Sequence, residues 1–283
     1  MIDRKESPLS VVLIIYLICF AFRIFEYFIL RTDQTFLGEA FIHKLIGIAI
    51  LFAGAKLFDF KFKEIGFSKR ELIPSISKGL AFGSIMFVLA YLVEILMLAL
   101  QGHFKALALY VSAYAVDGNI GHQTAFVFFA FCIIGNIINV VMEEGIFRGV
   151  FLKLLEQKYT FIISAIITSS LFGIWHIMSP IRSFCDGTMS RGGFIANSVM
   201  LVVASCLIGL KFAMLVKLTG NLYMAMGDHF VNNTIVNILH TISTTGADEL
   251  MILRISIAQS VSFIIVLIWY FLARPRHKKQ LVY

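Results

Sequence analysis

Three groups of polar and ionisable side chains interrupt otherwise apolar stretches of this sequence. They are Asn136, Asn139, Glu143, Glu144 and Arg148 in the first, Phe172 to His176 at the end of the second, and Asp228, His229, Asn232 and Asn233 in the third. Carboxylates and imidazoles can activate water, and imidazole and amide donors can stabilise an oxyanion. The residue types therefore indicate a hydrolytic site or a site for a bound ion.

The first group predicts a helix with two distinct polar features. Asn136, Asn139 and Glu143 share one face, because they are separated by three and seven residues. Glu144 and Arg148 are one turn apart, which suits an intrahelical ion pair. This pairing leaves Glu143 without a partner, and we expect its carboxylate to be available for chemistry.

The composition places these groups in a membrane. Hydrophobic residues make up 59% of the 283 positions and charged residues 14%, and the mean hydropathy is +0.88. Soluble domains are about 45–50% apolar and about 25% charged, so a soluble globular enzyme is excluded. The four cysteines have no paired spacing, which argues against a disulfide framework or a cysteine-based zinc site.

The length of the apolar stretches predicts an all-α polytopic membrane protein. A spanning helix needs about 20 apolar residues, and we place eight spans at 9–30, 41–58, 79–100, 123–147, 161–178, 194–216, 220–241 and 252–273. We expect about eight transmembrane helices in one bundle, which forms a single membrane domain over residues 1–283. Spans four to seven carry the polar groups, so residues 120–241 form the expected catalytic core.

Lysine and arginine predict the orientation. They are concentrated at the N-terminus, in the even-numbered loops and in the basic tail 274–279, so both termini are expected to be cytoplasmic. Lys211 and Lys217 are assigned to such a loop and Arg254 to an outer one. This placement accounts for the net charge of +7, and membrane lipid rather than nucleic acid is the expected partner.

Two of the candidate residues are expected to lie at one depth. In an antiparallel hairpin that turns near residues 157–161, Glu143 and His176 are equally far from the turn, at about 24 Å. His229 lies only about 13 Å from the turn near residue 220. It shares the site only if the hairpin extends about 10 Å beyond the membrane.

The motifs, in this order, resemble the CPBP family of intramembrane proteases, also called the CAAX-protease and bacteriocin-processing or Abi family. They are Glu143-Glu144-x-x-x-Arg148, Phe172-x-x-x-His176 and His229-x-x-x-Asn233. The eight-span layout resembles in particular the Rce1-type CAAX prenyl endopeptidases. The resemblance implies an intramembrane endopeptidase that cleaves a membrane-associated substrate, either a prenylated CaaX protein or a leader peptide.

The resemblance also implies roles for individual residues. Glu143 and His176 activate water, and His229 and Asn233 stabilise the oxyanion. The supporting residues are Glu144, Arg148 and Phe172. No cofactor is obligatory in this interpretation.

A metal-dependent mechanism is the alternative within the family. Glu143, His176 and His229 would then bind a divalent cation such as zinc, with a water in the open position. Asn233 favours the metal-independent mechanism, because an amide is a poor zinc ligand and a good oxyanion donor.

A non-enzymatic protein is the alternative outside the family's chemistry. A transporter, or an immunity or scaffold protein, would use the same polar cavity for an ion or a partner peptide. Such a protein tolerates the loss of Glu143 or His176. The sequence retains both residues, which favours the protease.

Several polar residues beside the motifs have structural interpretations. Asp228 is expected to bond to a neighbouring histidine or to Arg148. Arg23, Glu26 and Glu94 are ionisable groups within spans, for which we expect interhelical pairing or a place at the cavity. Residues 179–193 contain Pro180, which is expected to break the helix, and they form a gating loop or a connector.

Overall fold

The structure is a computed structural model that describes residues 7–35, 38–112 and 121–277. Its α-helices are α1 (Pro8–Phe25), α2 (Ile42–Leu57), α3 (Leu72–Leu100), α4 (Phe126–Glu144), α5 (Leu152–Leu155), α6 (Phe161–Trp175), α7 (Met178–Cys185), α8 (Arg191–Thr219), α9 (Tyr223–Ile238) and α10 (Met251–His277). Two short strands, β1 (Phe104–Leu109) and β2 (Leu239–Ser243), pair antiparallel. The all-α prediction is confirmed, and the small sheet was not predicted. Four basic residues of the orientation argument lie outside the described residues: Arg4, Lys5, Lys278 and Lys279.

Two helices continue as wider π-helical segments. α1 continues through Glu26–Leu30, and α4 continues through Gly145–Phe151 into α5, so that Phe126–Leu155 is one unbroken helix. π-Helical segments are rare and frequently mark functional sites. The segment in α4 begins directly after the two adjacent glutamates, at the point where the polar stripe of this helix ends.

Every predicted span contains a helix, but six helices of the described chain are long and apolar enough to cross a membrane. They are Pro8–Leu30, Lys69–Leu100, Phe126–Leu155, Phe161–Cys185, Arg191–Thr219 and Met251–Ala273. α2 and α9 have 16 residues each, a length of about 24 Å. This is shorter than the hydrocarbon core of about 30 Å. The protein is an integral membrane protein, and the count of eight full-length spans is higher than the structure supports.

α9 packs in the interior of the bundle against α3, α4 and α8. Glycines allow its backbone to approach α3: a Cβ atom on Gly79 would lie 2.2 Å from the carbonyl oxygen of Met224, and one on Gly227 would lie 2.7 Å from that of Ile76. Small residues are the usual means of close helix contact in membranes. This contact holds the polar helix α9 inside the bundle.

Small residues also allow the helix that carries the two glutamates to pack closely against its neighbours. A Cβ atom on Gly145 would lie 2.5 Å from Leu51 Cδ2 of α2, and one on Gly149 would lie 3.1 Å from the carbonyl oxygen of Ile65. Both glycines therefore allow close contact between this helix and its neighbours. The cysteines are free thiols: Cys19, Cys132, Cys185 and Cys206.

Two basic residues assigned to loops are instead buried within helices. Lys211 of α8 lies 2.7 Å (Nζ to Oδ2) from Asp228 of α9. Arg254 of α10 lies 2.7 Å (Nη1 to Oε2) from Glu94 of α3. The assignment was wrong because both residues lie within the spans predicted at 194–216 and 252–273, and the folded bundle gives each a carboxylate partner on another helix. The pairing expected for Glu94 is confirmed, while Asp228 binds a lysine rather than a histidine or an arginine.

The segment after His176 begins with a helix. Pro180 is the third residue of α7, and proline is tolerated in the first helical turn because its missing N–H has no intrahelical acceptor there. The helix break expected at this proline is therefore wrong. Asp186 at the end of α7 lies 3.2 Å (Oδ1 to Nη1) from Arg31, which follows the π-helical end of α1. This ion pair connects the segment to another part of the bundle.

Candidate active site

A cavity of about 350 Å³ lies among α1, α2, α4, α6, α8 and α9. The four predicted catalytic residues all line it: Glu143, His176, His229 and Asn233. Three further residues of the motif-bearing helices share the lining: Asn136, Asn139 and Phe172. Of these residues, Asn136 and Asn233 are the farthest apart in sequence, at 97 positions. The structure brings them together in one cavity.

Glu143 is the buried carboxylate of the cavity, and it has several partners. Trp175 donates from Nε1 to Oε1 (2.9 Å), and Asn139 donates from Nδ2 to Oε2 (3.1 Å). The guanidinium of Arg23 lies 3.8 Å away, measured from Nη1 to Oε1. The expectation of an unpartnered carboxylate was wrong, because two of these partners come from α1 and α6, which only the folded bundle brings to α4. The bond from Trp175 also places the end of α6 level with Glu143, as the hairpin predicts.

His229 bridges the two adjacent glutamates. Its Nδ1 lies 2.9 Å from Glu144 Oε1, and its Nε2 lies 3.6 Å from Glu143 Oε2. An ionised carboxylate only accepts hydrogen bonds, so Nδ1 carries the proton in the bond to Glu144. This bond orients the ring so that Nε2 lies beside the carboxylate of the cavity.

Glu144 and Arg148 form the predicted ion pair, with 3.2 Å between Oε1 and Nη1, and both are fully buried. Neither residue lines the cavity. The guanidinium of Arg148 lies 4.1 Å from the centre of the Phe172 ring, in cation–π geometry. Phe172 in turn contacts the ring of His176 at a centroid distance of 4.6 Å. Glu144, Arg148 and Phe172 therefore form a buried cluster that packs against the histidines of the site.

His176 is oriented by the backbone of its own helix. Its Nδ1 lies 2.7 Å from the carbonyl oxygen of Phe172, and a carbonyl oxygen only accepts. Nδ1 therefore carries a proton, and in the neutral ring the lone pair is on Nε2. A ring with this tautomer can accept a proton at the nitrogen that is not bound to the backbone.

The cavity contains basic residues that the motifs do not include. Arg23 of α1 and Lys44 of α2 both line it, and Lys44 Nζ lies 3.0 Å from Glu39 Oε1. An ionisable residue within an apolar span was the sequence signal for Arg23. Its neighbour Glu26 binds His43 of α2 instead, so both residues make the interhelical pairs expected of them.

In the part of the chain that the structure describes, no group of three or more His, Cys, Asp or Glu side chains is arranged to hold a metal. Glu143 also has the guanidinium of Arg23 beside it, and a second cation at the same carboxylate would meet that positive charge.

An apolar groove of about 630 Å³ lies between α8 and α10, next to the cavity. Ala204, Ile208 and Ile255 line both the groove and the cavity. The rest of the groove is formed mainly by aliphatic and aromatic side chains. An apolar chain in this groove would therefore adjoin the polar cavity.

One comparison with known proteins covers the part of the chain that carries the three motifs. Residues 125–235 match the family model described as Rce1-like, type II CAAX prenyl endopeptidase Rce1-like. Neither the curated proteins nor the solved structures contain a match to the chain. The matched segment includes all three motifs and ends within α9, and it leaves out Arg23 and α10. Across residues 125–235, this integral membrane protein is thus similar to the Rce1-like type II CAAX prenyl endopeptidases.

Proposed function

We propose that this protein hydrolyses a peptide bond of a lipid-bearing, membrane-associated substrate, with water activated by Glu143 and no obligatory metal. The observation that carries the proposal is the convergence of Glu143, His176, His229 and Asn233 on one cavity. The similarity of residues 125–235 to the Rce1-like endopeptidases supports peptide hydrolysis in general. The choice of substrate and the roles of the residues are our inference from the geometry.

The hydrolysis begins with a water molecule at the Glu143 carboxylate. Glu143 accepts a proton from the water while the water oxygen bonds to the carbonyl carbon of the peptide. The carbonyl π electrons move to its oxygen, which becomes the oxyanion of a tetrahedral intermediate. The bonds from Trp175 and Asn139 hold the carboxylate in place for this step.

The oxyanion requires hydrogen-bond donors among the residues that line the cavity. Asn233 can donate from its amide nitrogen, and His229 can donate from Nε2 when the ring is protonated, because Nδ1–H is already bound to Glu144. The C–N bond then breaks, and the proton held by Glu143 passes to the leaving nitrogen, directly or through His176. The products are a new carboxyl terminus and a new amine.

The apolar groove supports a substrate that carries a lipid chain. The groove lies between α8 and α10 and shares three lining residues with the cavity. Burial of apolar surface contributes about 0.8 kcal/mol per CH₂ group, so a prenyl chain would add substantial affinity. A prenylated CaaX peptide therefore fits this surface better than an unprenylated leader peptide does.

Peptide cleavage by the purified protein tests the proposal. The full chain in detergent is incubated with a farnesylated CaaX peptide, the same peptide without the farnesyl group, and a leader peptide. We expect cleavage of the farnesylated peptide, with loss of activity in Glu143→Gln and His176→Ala while both variants remain folded. Wild-type turnover by Glu143→Gln would contradict the mechanism. No cleavage of any peptide by the folded protein would favour a transporter or scaffold.

The orientation predicted from the basic residues completes the proposal. Lys153, Lys217 and Glu156 lie together, with Lys217 Nζ at 2.9 Å from Glu156 Oε1. The hairpin between α5 and α6 and the connection between α8 and α9 therefore lie at the same end of the bundle. We propose that this end is cytoplasmic, in accordance with the positive-inside rule.

A further inference from the structure

A chain of hydrogen-bonded side chains runs from the buried Lys211 of α8 to Asn233 in the cavity. Lys211 Nζ lies 2.8 Å from Gln259 Oε1, and Gln259 Nε2 lies 2.8 Å from Asn232 Oδ1. Asn232 Nδ2 lies 3.0 Å from Asn233 Oδ1. The chain connects α8, α10 and α9, and it ends at the residue proposed to bind the oxyanion.

Lys211 determines the direction of every bond in this chain. An ammonium group only donates, so Gln259 must turn its oxygen to Lys211 and its NH₂ group to Asn232. Asn232 then accepts with its oxygen and donates with its NH₂ group. Asn233 must therefore accept with its oxygen, which leaves its own NH₂ group to donate.

The position of Lys211 is in turn held by an ion pair. Its Nζ lies 2.7 Å from Asp228 Oδ2, and Lys211 and Asp228 are 0% and 1% exposed. A pair this deeply buried is disrupted only at a high energetic cost. The starting point of the chain is therefore fixed relative to α9.

We propose that Lys211 and Gln259 are positioning residues that make Asn233 present N–H, rather than C=O, to the oxyanion. The proposal rests on the role proposed above for Asn233. An inverted amide would place an acceptor oxygen against the oxyanion, which removes a donor and adds repulsion. Gln259 lies outside residues 125–235, so this contribution comes from a part of the polypeptide that the family model does not match.

Gln259→Glu tests the direction of the chain. A carboxylate gives Lys211 an acceptor as before, but it also presents an acceptor to Asn232. Asn232 and then Asn233 must invert, so the donor to the oxyanion is lost. With the farnesylated CaaX peptide, we expect kcat to fall about 10²–10³-fold, as for the loss of one oxyanion donor. Gln259 also lines the apolar groove, so the positioning role is tested by kcat at saturating peptide and not by KM.

Two further variants keep the test independent of folding. Gln259→Met retains the length of the side chain and removes both hydrogen bonds without imposing the inverted direction, so kcat should fall less than in Gln259→Glu. Gln101→Glu at the exposed end of α3 is the matched control for the added charge, and it should turn over like the wild type. Thermal unfolding in detergent identifies any variant that does not fold, in which case the Gln259→Met result decides.

Asn233→Ala separates this proposal from the proposed function. If it lowers kcat and Gln259→Glu adds no further loss in the double variant, the two residues act as one unit. If Asn233→Ala lowers kcat while folded Gln259→Glu and Gln259→Met turn over like the wild type, the positioning role is wrong and the proposed function stands. Wild-type turnover by Asn233→Ala would overturn the oxyanion role and the positioning role together.

Discussion

Glu144 Oε1 binds His229 Nδ1 at 2.9 Å, in addition to its ion pair with Arg148. The two adjacent glutamates therefore differ in position and in partners. Glu143 lines the cavity, while Glu144 lies outside it and connects the arginine of its own helix to the histidine of α9. Adjacent residues of a helix project about 100° apart, which allows one carboxylate to face the cavity and the other to hold a residue of that site.

This arrangement predicts a large effect of Glu144→Ala on stability. The substitution leaves Arg148 as a buried charge without its ion-pair partner, which typically costs about 3–5 kcal/mol, and it releases His229. We expect a lower thermal unfolding temperature and a lower activity of the purified variant in detergent. Glu144→Gln keeps an acceptor oxygen, so its unfolding temperature and activity should lie between those of the wild type and Glu144→Ala. A variant Glu144→Ala with the stability of the wild type would contradict the structural role.

Trp175→Phe should lower kcat and leave KM nearly unchanged. The substitution removes the donor to Glu143 and retains an aromatic ring near Arg23. A hydrogen bond to a charged group contributes about 1.5–3 kcal/mol, so we expect a loss of at least about tenfold.

Tyr16→Phe is the matched control for this variant. The Tyr16 ring lies 6.3 Å from that of Trp175, and its hydroxyl has no hydrogen-bond partner among the described residues. Removing that hydroxyl should leave kcat unchanged. Equal losses in both variants would show that the effect does not arise from the bond to Glu143.

Metal removal should leave the activity intact. Arg23 beside Glu143 makes the carboxylate an unfavourable ligand for a second cation, and the proposed mechanism needs only water. Prolonged chelation and metal-free purification are followed by the cleavage assay and by elemental analysis of the protein. A stoichiometric metal whose removal abolishes activity reversibly would instead assign Glu143, His176 and His229 to a metal site.

Gly79→Ala should destabilise the contact between α3 and α9. The added Cβ would lie 2.2 Å from the carbonyl oxygen of Met224, and relief of such overpacking typically costs about 1–3 kcal/mol. Gly192→Ala is the control, because a Cβ there meets no atom within 4 Å. We expect a lower unfolding temperature for the first variant alone. If both behave like the wild type, the backbone contact is not as close as described.

Thiol labelling in intact membranes tests the orientation. Cysteines at Lys153, Lys158 and Lys217 should react with a membrane-impermeant reagent from the cytoplasmic side only, in a background with the exposed Cys185 replaced by serine. A cysteine at Asn233 should react slowly from the same side, because the cavity that it lines is polar. Labelling of the three lysine positions from outside would reverse the proposed orientation.

The sequence by itself determined the membrane class, the helical segments and the three motifs of the site. Apolar length predicts helices because a bilayer requires every backbone group to be bonded within its own segment. The ion pair of Glu144 and Arg148 was likewise predictable, since residues four apart lie on the same side of one helix. These features depend on neighbours in sequence, and the structure agrees with them.

Only the tertiary structure decided which distant residues complete the site. Arg23 and Trp175 reach Glu143 from α1 and α6, and Lys211 reaches Asp228 from α8. The polarity within one helix does not specify which neighbouring helix faces it or at what height. Glycine contacts and the interior position of the short helix α9 set those heights, because they depend on the close approach of whole backbones rather than on the spacing of residues in one segment.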